Sequence, residues 1–127
     1  MAIRRSASAL AADTRLPLRT NWFHILLCLA DGEQHGYGIM QEVLARTGGK
    51  TRLWPATLYG TLRRLIEEGL IEEADNLRDV DSGDVRRRYY RLSRRGRRAL
   101  TEEIARLEDL VRAARVKGRA LKLGESS

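Results

Sequence analysis

The sequence predicts a mainly α-helical chain with one small β-hairpin, and three observations carry that reading. Four segments, near 20–30, 35–47, 55–68 and 93–121, hold apolar residues at helical spacing or in helix-length runs. Two short stretches, 70–74 and 86–92, read instead as strands around a polar loop that contains Ser82 and Gly83. A hydrophobic content of 43% over 127 residues suits one globular domain with a modest core.

Charge narrows the class of partner. Lys and Arg number 24 against 17 Asp and Glu, a net charge of +7, and the pI is near 10.3. Nearly all the cations are arginine, the side chain suited to forked contacts with phosphate or guanine. A soluble basic protein with no charged partner is the plain alternative, so placement has to decide. The single cysteine excludes an internal disulfide and fits a reducing cytosol. No run approaches the roughly 18 apolar residues of a membrane span, so no membrane partner is expected.

Residues 1–15 lack apolar periodicity and read as a flexible basic arm. A first helix is expected from Thr20 to Ala30, with Thr20 as N-cap and Asp31-Gly32 as the stop. Trp22, Phe23, Ile25, Leu26, Leu27, Cys28 and Leu29 leave it almost no polar face. Such a helix must be buried on two sides. In so small a chain one side is assigned to a second subunit, around Trp22 and Leu26. His24 and Cys28 stand at i,i+4, a metal-ligand spacing, but two ligands do not make a site, and cysteine commonly serves as a small core hydrophobe. Neither metal nor cofactor is expected.

The second helix covers about 35–47, with Ile39, Met40, Val43 and Leu44 as its buried stripe and Gly48-Gly49 as its end. His35 has no nucleophile or acid placed to work with it and is assigned to packing or capping. Gly36 and Gly38 lack the preceding strand and spacing of a nucleotide-binding loop.

The stretch PATLYGTLRRLIEEGLI, residues 55–71, organises the rest. Pro55 suits the first helical turn and Gly69 the left-handed position after the last. Leu58, Leu62, Leu65 and Ile66 form one apolar stripe, opposite Thr57, Tyr59, Gly60, Thr61, Arg63 and Arg64. Arg63 and Arg64 precede Glu67 and Glu68 in the weaker i,i+4 order, and those acids sit at the unfavourable end of the helix dipole. A face that breaks two local charge rules points to a ligand, and its chemistry fits a polyanion.

On the second strand Tyr90 and Leu92 should face inward, with Arg87, Tyr89 and Arg91 outward. Ser93 is a good N-cap for a long last helix to about Leu121. Leu100, Ile104, Leu107, Val111 and Ala114 repeat at spacings of 4, 3, 4 and 3, the seam of a helix that meets another helix. Residues 86–98, RRRYYRLSRRGRR, hold eight arginines and no acid, whereas Asp75, Asp79, Asp81 and Asp84 gather in the loop.

Three helices followed by a hairpin is the order of a winged helix-turn-helix, in which the third helix enters the major groove. The division expected is a basic arm 1–15, the winged domain 16–92, a dimerisation helix 93–121 and a tail 122–127. HGYGIMQEV, PATLYGTLRRLIEEGLIEE and RRRYYRLSRRGRRAL resemble the second helix, recognition helix and wing junction of PadR-like transcriptional regulators, across roughly 16–117. The single last helix is similar to the shorter branch of that family. The resemblance implies a prokaryotic repressor, cytoplasmic and nucleoid-associated, dimeric through its first and last helices. Tyr37, Thr57, Tyr59 and Arg63 match positions that the family commonly turns to DNA. Trp54 departs from it, standing where a small or hydroxyl N-cap is usual. The last helix lacks the aromatic with which some members sandwich flat drugs, so that ligand mode is not carried over.

The function expected is therefore sequence-specific binding of double-stranded DNA by a homodimer at a pseudo-palindromic operator. Thr57, Gly60, Thr61 and Arg63 are assigned to bases, and Tyr37, Tyr59, Arg64, Arg86 and Arg87 to phosphates. Trp22, Leu26, Leu100, Ile104, Leu107, Val111 and Ala114 are assigned to the dimer interface. A small-molecule effector, of which the sequence gives no identity, would act through the angle of the last helix. The alternative is a winged-helix module that binds protein or RNA. Aromatics at 6% are few for the base-stacking platforms of RNA readers. An enzyme is not expected, because no carboxylate pair, triad or phosphate loop is visible.

Overall fold

A computed structural model describes residues 16–74 and 88–126. The arm 1–15, the acidic loop with Asp75, Asp79, Asp81 and Asp84, and the arginines Arg86 and Arg87 lie outside the described residues. The elements run α1 Thr20–Cys28, β1 Gln34–His35, α2 Gly36–Arg46, α3 Pro55–Glu67, β2 Ile71–Ala74, β3 Tyr89–Leu92 and α4 Arg94–Ser126.

Local signals explain most of these bounds. Trp54 is the extended residue before α3 and Pro55 its first helical position. At the other end Gly69 has φ 78°, donates to the Ile66 carbonyl at 2.9 Å, and is followed by Leu70 donating to the Leu65 carbonyl at 2.9 Å. That double bond is a Schellman cap, and it leaves Leu65 and Leu70 packed in the core. His35 caps α2 by accepting from the Gly38 N–H through Nδ1 at 3.1 Å. Gly48 and Gly49, both at positive φ, follow the end of that helix.

Several expected elements differ from the structure. The residue before α1 is Arg19, which makes no side-chain capping bond, so Thr20 is the first helical residue and not the cap. The helix also closes at Cys28, two residues before Ala30. The hairpin gains a third strand: Gln34 pairs with Tyr90 and His35 with Tyr89, giving an antiparallel sheet in the order β1-β3-β2. At the far end α4 continues through 122–126, where a tail was expected, because no proline interrupts it.

The core is one cluster built around Ile25, Leu26, Leu29, Ile39, Val43, Leu58, Leu62, Leu65 and Leu70. The sheet adds Ile71, Tyr90 and Leu92, and α4 adds only Ala99 and Leu100. Tyr90 and Leu92 do face inward while Arg91 is exposed. Trp22, Leu26 and Leu100 lie in this same cluster. Their apolar surface is taken up by the chain's own elements, with Leu26 wholly buried. Trp22, Leu26 and Leu100, expected at a partner, thus pack within the protomer, while Phe23 and Leu27 of α1 remain half-buried.

Ser93 ties the winged domain to α4. Its Oγ accepts from the Gly96 N–H at 2.9 Å and donates to the Gly69 carbonyl at 2.6 Å. Its own N–H donates to the Leu70 carbonyl at 3.1 Å. The cap of the last helix is thus also the clasp on the end of α3.

Candidate nucleic-acid interface

Burying Leu58, Leu62 and Leu65 fixes which way α3 faces. Trp54, Pro55, Ala56 and Thr57 are all exposed, so the first turn projects from the domain. Arg63 and Arg64 are exposed as well, and among the described residues neither has an ion-pair partner. The space above Gly60 is open. Thr61 is half-buried: its hydroxyl donates to the Thr57 carbonyl at 2.8 Å. It also borders a recess shared with Arg19, Thr20, Asn21 and Trp22 at the start of α1.

Tyr59 leaves the same helix sideways. A Cβ at Gly36 would meet its hydroxyl at 2.5 Å, so the ring lies across the start of α2 where only glycine leaves room. Tyr37, the next residue of α2, is 58% exposed and Tyr59 44%. Two phenols therefore stand exposed at the junction of α2 and α3. Burial raises the pKa of Tyr90 behind them, with the Glu73 carboxylate adding to the effect.

The basic run after the loop is less free than its composition suggests. Arg91 bonds Glu72 at 3.0 Å and approaches Glu33 at 3.7 Å, and Arg88 lies 3.4 Å from Glu73. Cross-strand acids on β2 thus compensate two of the eight arginines, a pairing that the run alone does not reveal. Arg94, Arg97 and Arg98 are exposed on the first turns of α4.

Among the described residues no catalytic arrangement accompanies these groups. Cys28 is buried, with its thiol pushed up to about 11, chiefly by burial. Arg46 donates to its sulfur at 3.6 Å. Burial also lowers the pKa of His24, with Arg46 nearby adding to the shift. Among the described residues no three His, Cys, Asp or Glu gather as a metal site. No helix among them is long and apolar enough to cross a membrane.

Past its third turn α4 leaves the domain. Every residue from 108 to 117 is exposed, including Leu110, Val111 and Val116. Ile104 is 37% exposed and Leu107 half-buried, so the lower part of the expected seam is open where its upper part is filled. The spacing continues through Gly118 to the exposed Leu121, one heptad beyond Ala114.

Helices α1–α3, the three-stranded sheet and the exposed α3 define a winged helix-turn-helix protein. The model of the transcriptional regulator PadR-like family matches residues 25–102, and the chain belongs to that family of transcriptional regulators. It is 44% identical over 89 residues to the transcriptional regulator Rv3488 of Mycobacterium tuberculosis, covering 70% of this chain and 77% of that protein. Its fold is similar to that of Bacillus subtilis PadR in complex with operator DNA (TM-score 0.60, 23% identity, 68% of this chain and 47% of that one). It is also similar to RosR of H. salinarum (TM-score 0.62, 20% identity, 88% of this chain and 98% of that one).

Proposed function

We propose that the chain regulates transcription by binding a specific operator in double-stranded DNA, as a homodimeric repressor of the prokaryotic cytoplasm and nucleoid. One observation carries this reading: α3 buries its leucine stripe and leaves Thr57, Arg63 and Arg64 exposed, with both arginines unpaired among the described residues. A cation on a folded surface with no acid opposite it is held ready for an anionic partner. The operator complex of B. subtilis PadR, a protein of the same fold, supports the choice of DNA.

In this reading the front of α3 enters the major groove and presents Thr57, Gly60, Thr61 and Arg63 to base edges. Tyr37 and Tyr59 flank it and, with Arg64 and the wing arginines Arg86 and Arg87, bond phosphates. Two copies meet through the exposed length of α4, from Ile104 and Leu107 through Val111 and Ala114. A two-fold dimer then requires a pseudo-palindromic site with half-sites about one helical turn apart.

The test is selection from duplexes with a random core, followed by salt titration. Wild type should enrich one motif and lose affinity steeply with salt, as binding through phosphates demands. Arg63→Ala should weaken the selected site about tenfold or more and random DNA far less, the loss expected for one guanine contact of roughly 1–3 kcal/mol. Failure to enrich any motif would remove the reading.

A further inference from the structure

Trp54 is the most exposed aromatic side chain among the described residues, at 62%. It is the extended residue that opens α3; its carbonyl accepts from the Leu58 N–H at 2.8 Å, but its side chain makes no capping bond. A large apolar side chain at a helix entry gives nothing to that helix, so local folding does not explain it. Leu53, one residue earlier, is 3% exposed and anchors the chain in the core. The indole is thus carried on a rigid root. The Arg52 guanidinium lies over its ring at 5.0 Å from the centroid, an attraction between cation and ring face that restrains both side chains. Beyond them Pro55, Ala56 and Thr57 are all exposed, so among the described residues nothing screens the pair.

We propose that Trp54 is a specificity-determining residue that packs against the 5-methyl group of a thymine at the edge of the recognised sequence, with Arg52 as the residue that positions its ring. This rests on the reading of α3 as the element that enters the major groove. Recognition helices lead with their N-terminal residues, and Trp54 stands at that end, three residues before the exposed Thr57. The major groove offers few apolar features to an exposed indole. The thymine methyl is the principal one, and an apolar side chain distinguishes it from cytosine. Positive charge from Arg52 beside the ring suits the potential of the groove and disfavours an uncharged apolar partner. DNA is therefore the occupant that fits.

The experiment uses the full chain and the duplex that wild type selects from a random pool. Each thymine is replaced in turn by deoxyuridine, which removes only the methyl group, and affinities are measured for wild type, Trp54→Ala and Trp54→Phe. At one thymine position wild type should lose about three- to fivefold, the effect of one buried methyl. Trp54→Ala should show no loss there, and Trp54→Phe should retain part of it. The coupling between side chain and methyl, not the affinity of either variant alone, identifies the contact. Because Trp22 is buried, iodide-quenchable emission in the free protein belongs to Trp54, and operator should shield it. Equal deoxyuridine losses in wild type and Trp54→Ala, or unshielded emission in the complex, would overturn the proposal and leave DNA binding intact. Failure of wild type to select any duplex would overturn both.

Discussion

The backbone N–H of Leu18 donates to a carboxylate oxygen of Glu103 at 3.0 Å, joining the segment before α1 to the third turn of α4 across 85 residues of sequence. Glu103 is 2% exposed, and Arg106 bonds both of its oxygens, at 2.7 and 2.9 Å. A buried carboxylate is tolerated only when its lone pairs are taken, and here three donors take them. The pair sits at the point where α4 leaves the domain, so it holds both the direction of that helix and the start of α1.

This geometry makes stability depend on pH. The Arg106 bonds, with the Leu18 N–H, hold the Glu103 carboxyl below its usual range despite its burial. A lowered carboxyl contributes stability that is fully present above the unfolded value, about 4.3, and is lost as pH falls through the folded value. Glu103→Gln should therefore cost about 1–3 kcal/mol at pH 7, with the difference from wild type shrinking below about pH 4. Urea titrations at both pH values measure this. A cost that does not change with pH would mean that charge plays no part.

Gly96 is a second point of close approach. A Cβ there would lie 1.9 Å from the Leu70 carbonyl oxygen, and that oxygen already accepts from the Ser93 N–H. Neither backbone can give without opening the clasp between α3 and α4. Gly96→Ala should destabilise the protein by about 3 kcal/mol, at the upper end for overpacking. Thermal unfolding of Gly96→Ala beside Gly118→Ala provides the comparison, because a Cβ at Gly118 meets open space.

Cys28 should be inert in the folded protein. With its thiol at about 11, only on the order of a thousandth is thiolate at pH 8, and its side chain is wholly buried. A disulfide reagent should label it more than a hundredfold faster in denaturant than in buffer. Fast labelling of native protein would show that α1 opens from the core far more readily than its packing implies.

What the sequence disclosed and what it withheld follow from where the information lies. Pro55, Gly69 and Ser93 act on their own neighbours, so the start and end of α3 and the cap of α4 could be read residue by residue. The strand Gln34–His35 could not: two residues have no periodicity, and they are a strand only because the edge of β3 lies beside them. Apolar content marked Trp22, Leu26 and Leu100 as buried but could not say in which chain, and they complete their own core. Glu103 is a charged residue beside an apolar seam, which gives no sign of burial, and its buried carboxylate is met by Leu18, a partner 85 residues away. On the candidate interface, the exposed face of α3 was legible from its leucine stripe. The cross-strand partners of Arg88 and Arg91, and the stacking of Arg52 on Trp54, required the fold.

Assembly bears directly on specificity, since a single winged helix covers too short a site to be specific. The 33 residues of α4 extend about 50 Å at 1.5 Å per residue, and its first three turns pack on the domain through Gly96, Ala99, Leu100 and Glu103. A helix beyond such an anchor is marginal alone in water, and this one exposes Ile104, Leu110, Val111, Val116 and Leu121. A second copy crossing along Ile104, Leu107, Val111 and Ala114 would cover the seam and stabilise the helix that carries it. Leu107→Asp places an unpaired charge in that contact and should cost several kcal/mol of association. Because Leu107 is only half-buried in the single chain, the folded domain should survive the change, which circular dichroism checks. Leu100→Asp, by contrast, should unfold the protomer, because Leu100 belongs to the internal core. In sedimentation at micromolar concentration wild type should be a dimer and Leu107→Asp a folded monomer. A dimeric Leu107→Asp would move the interface away from α4, and a monomeric wild type would remove it.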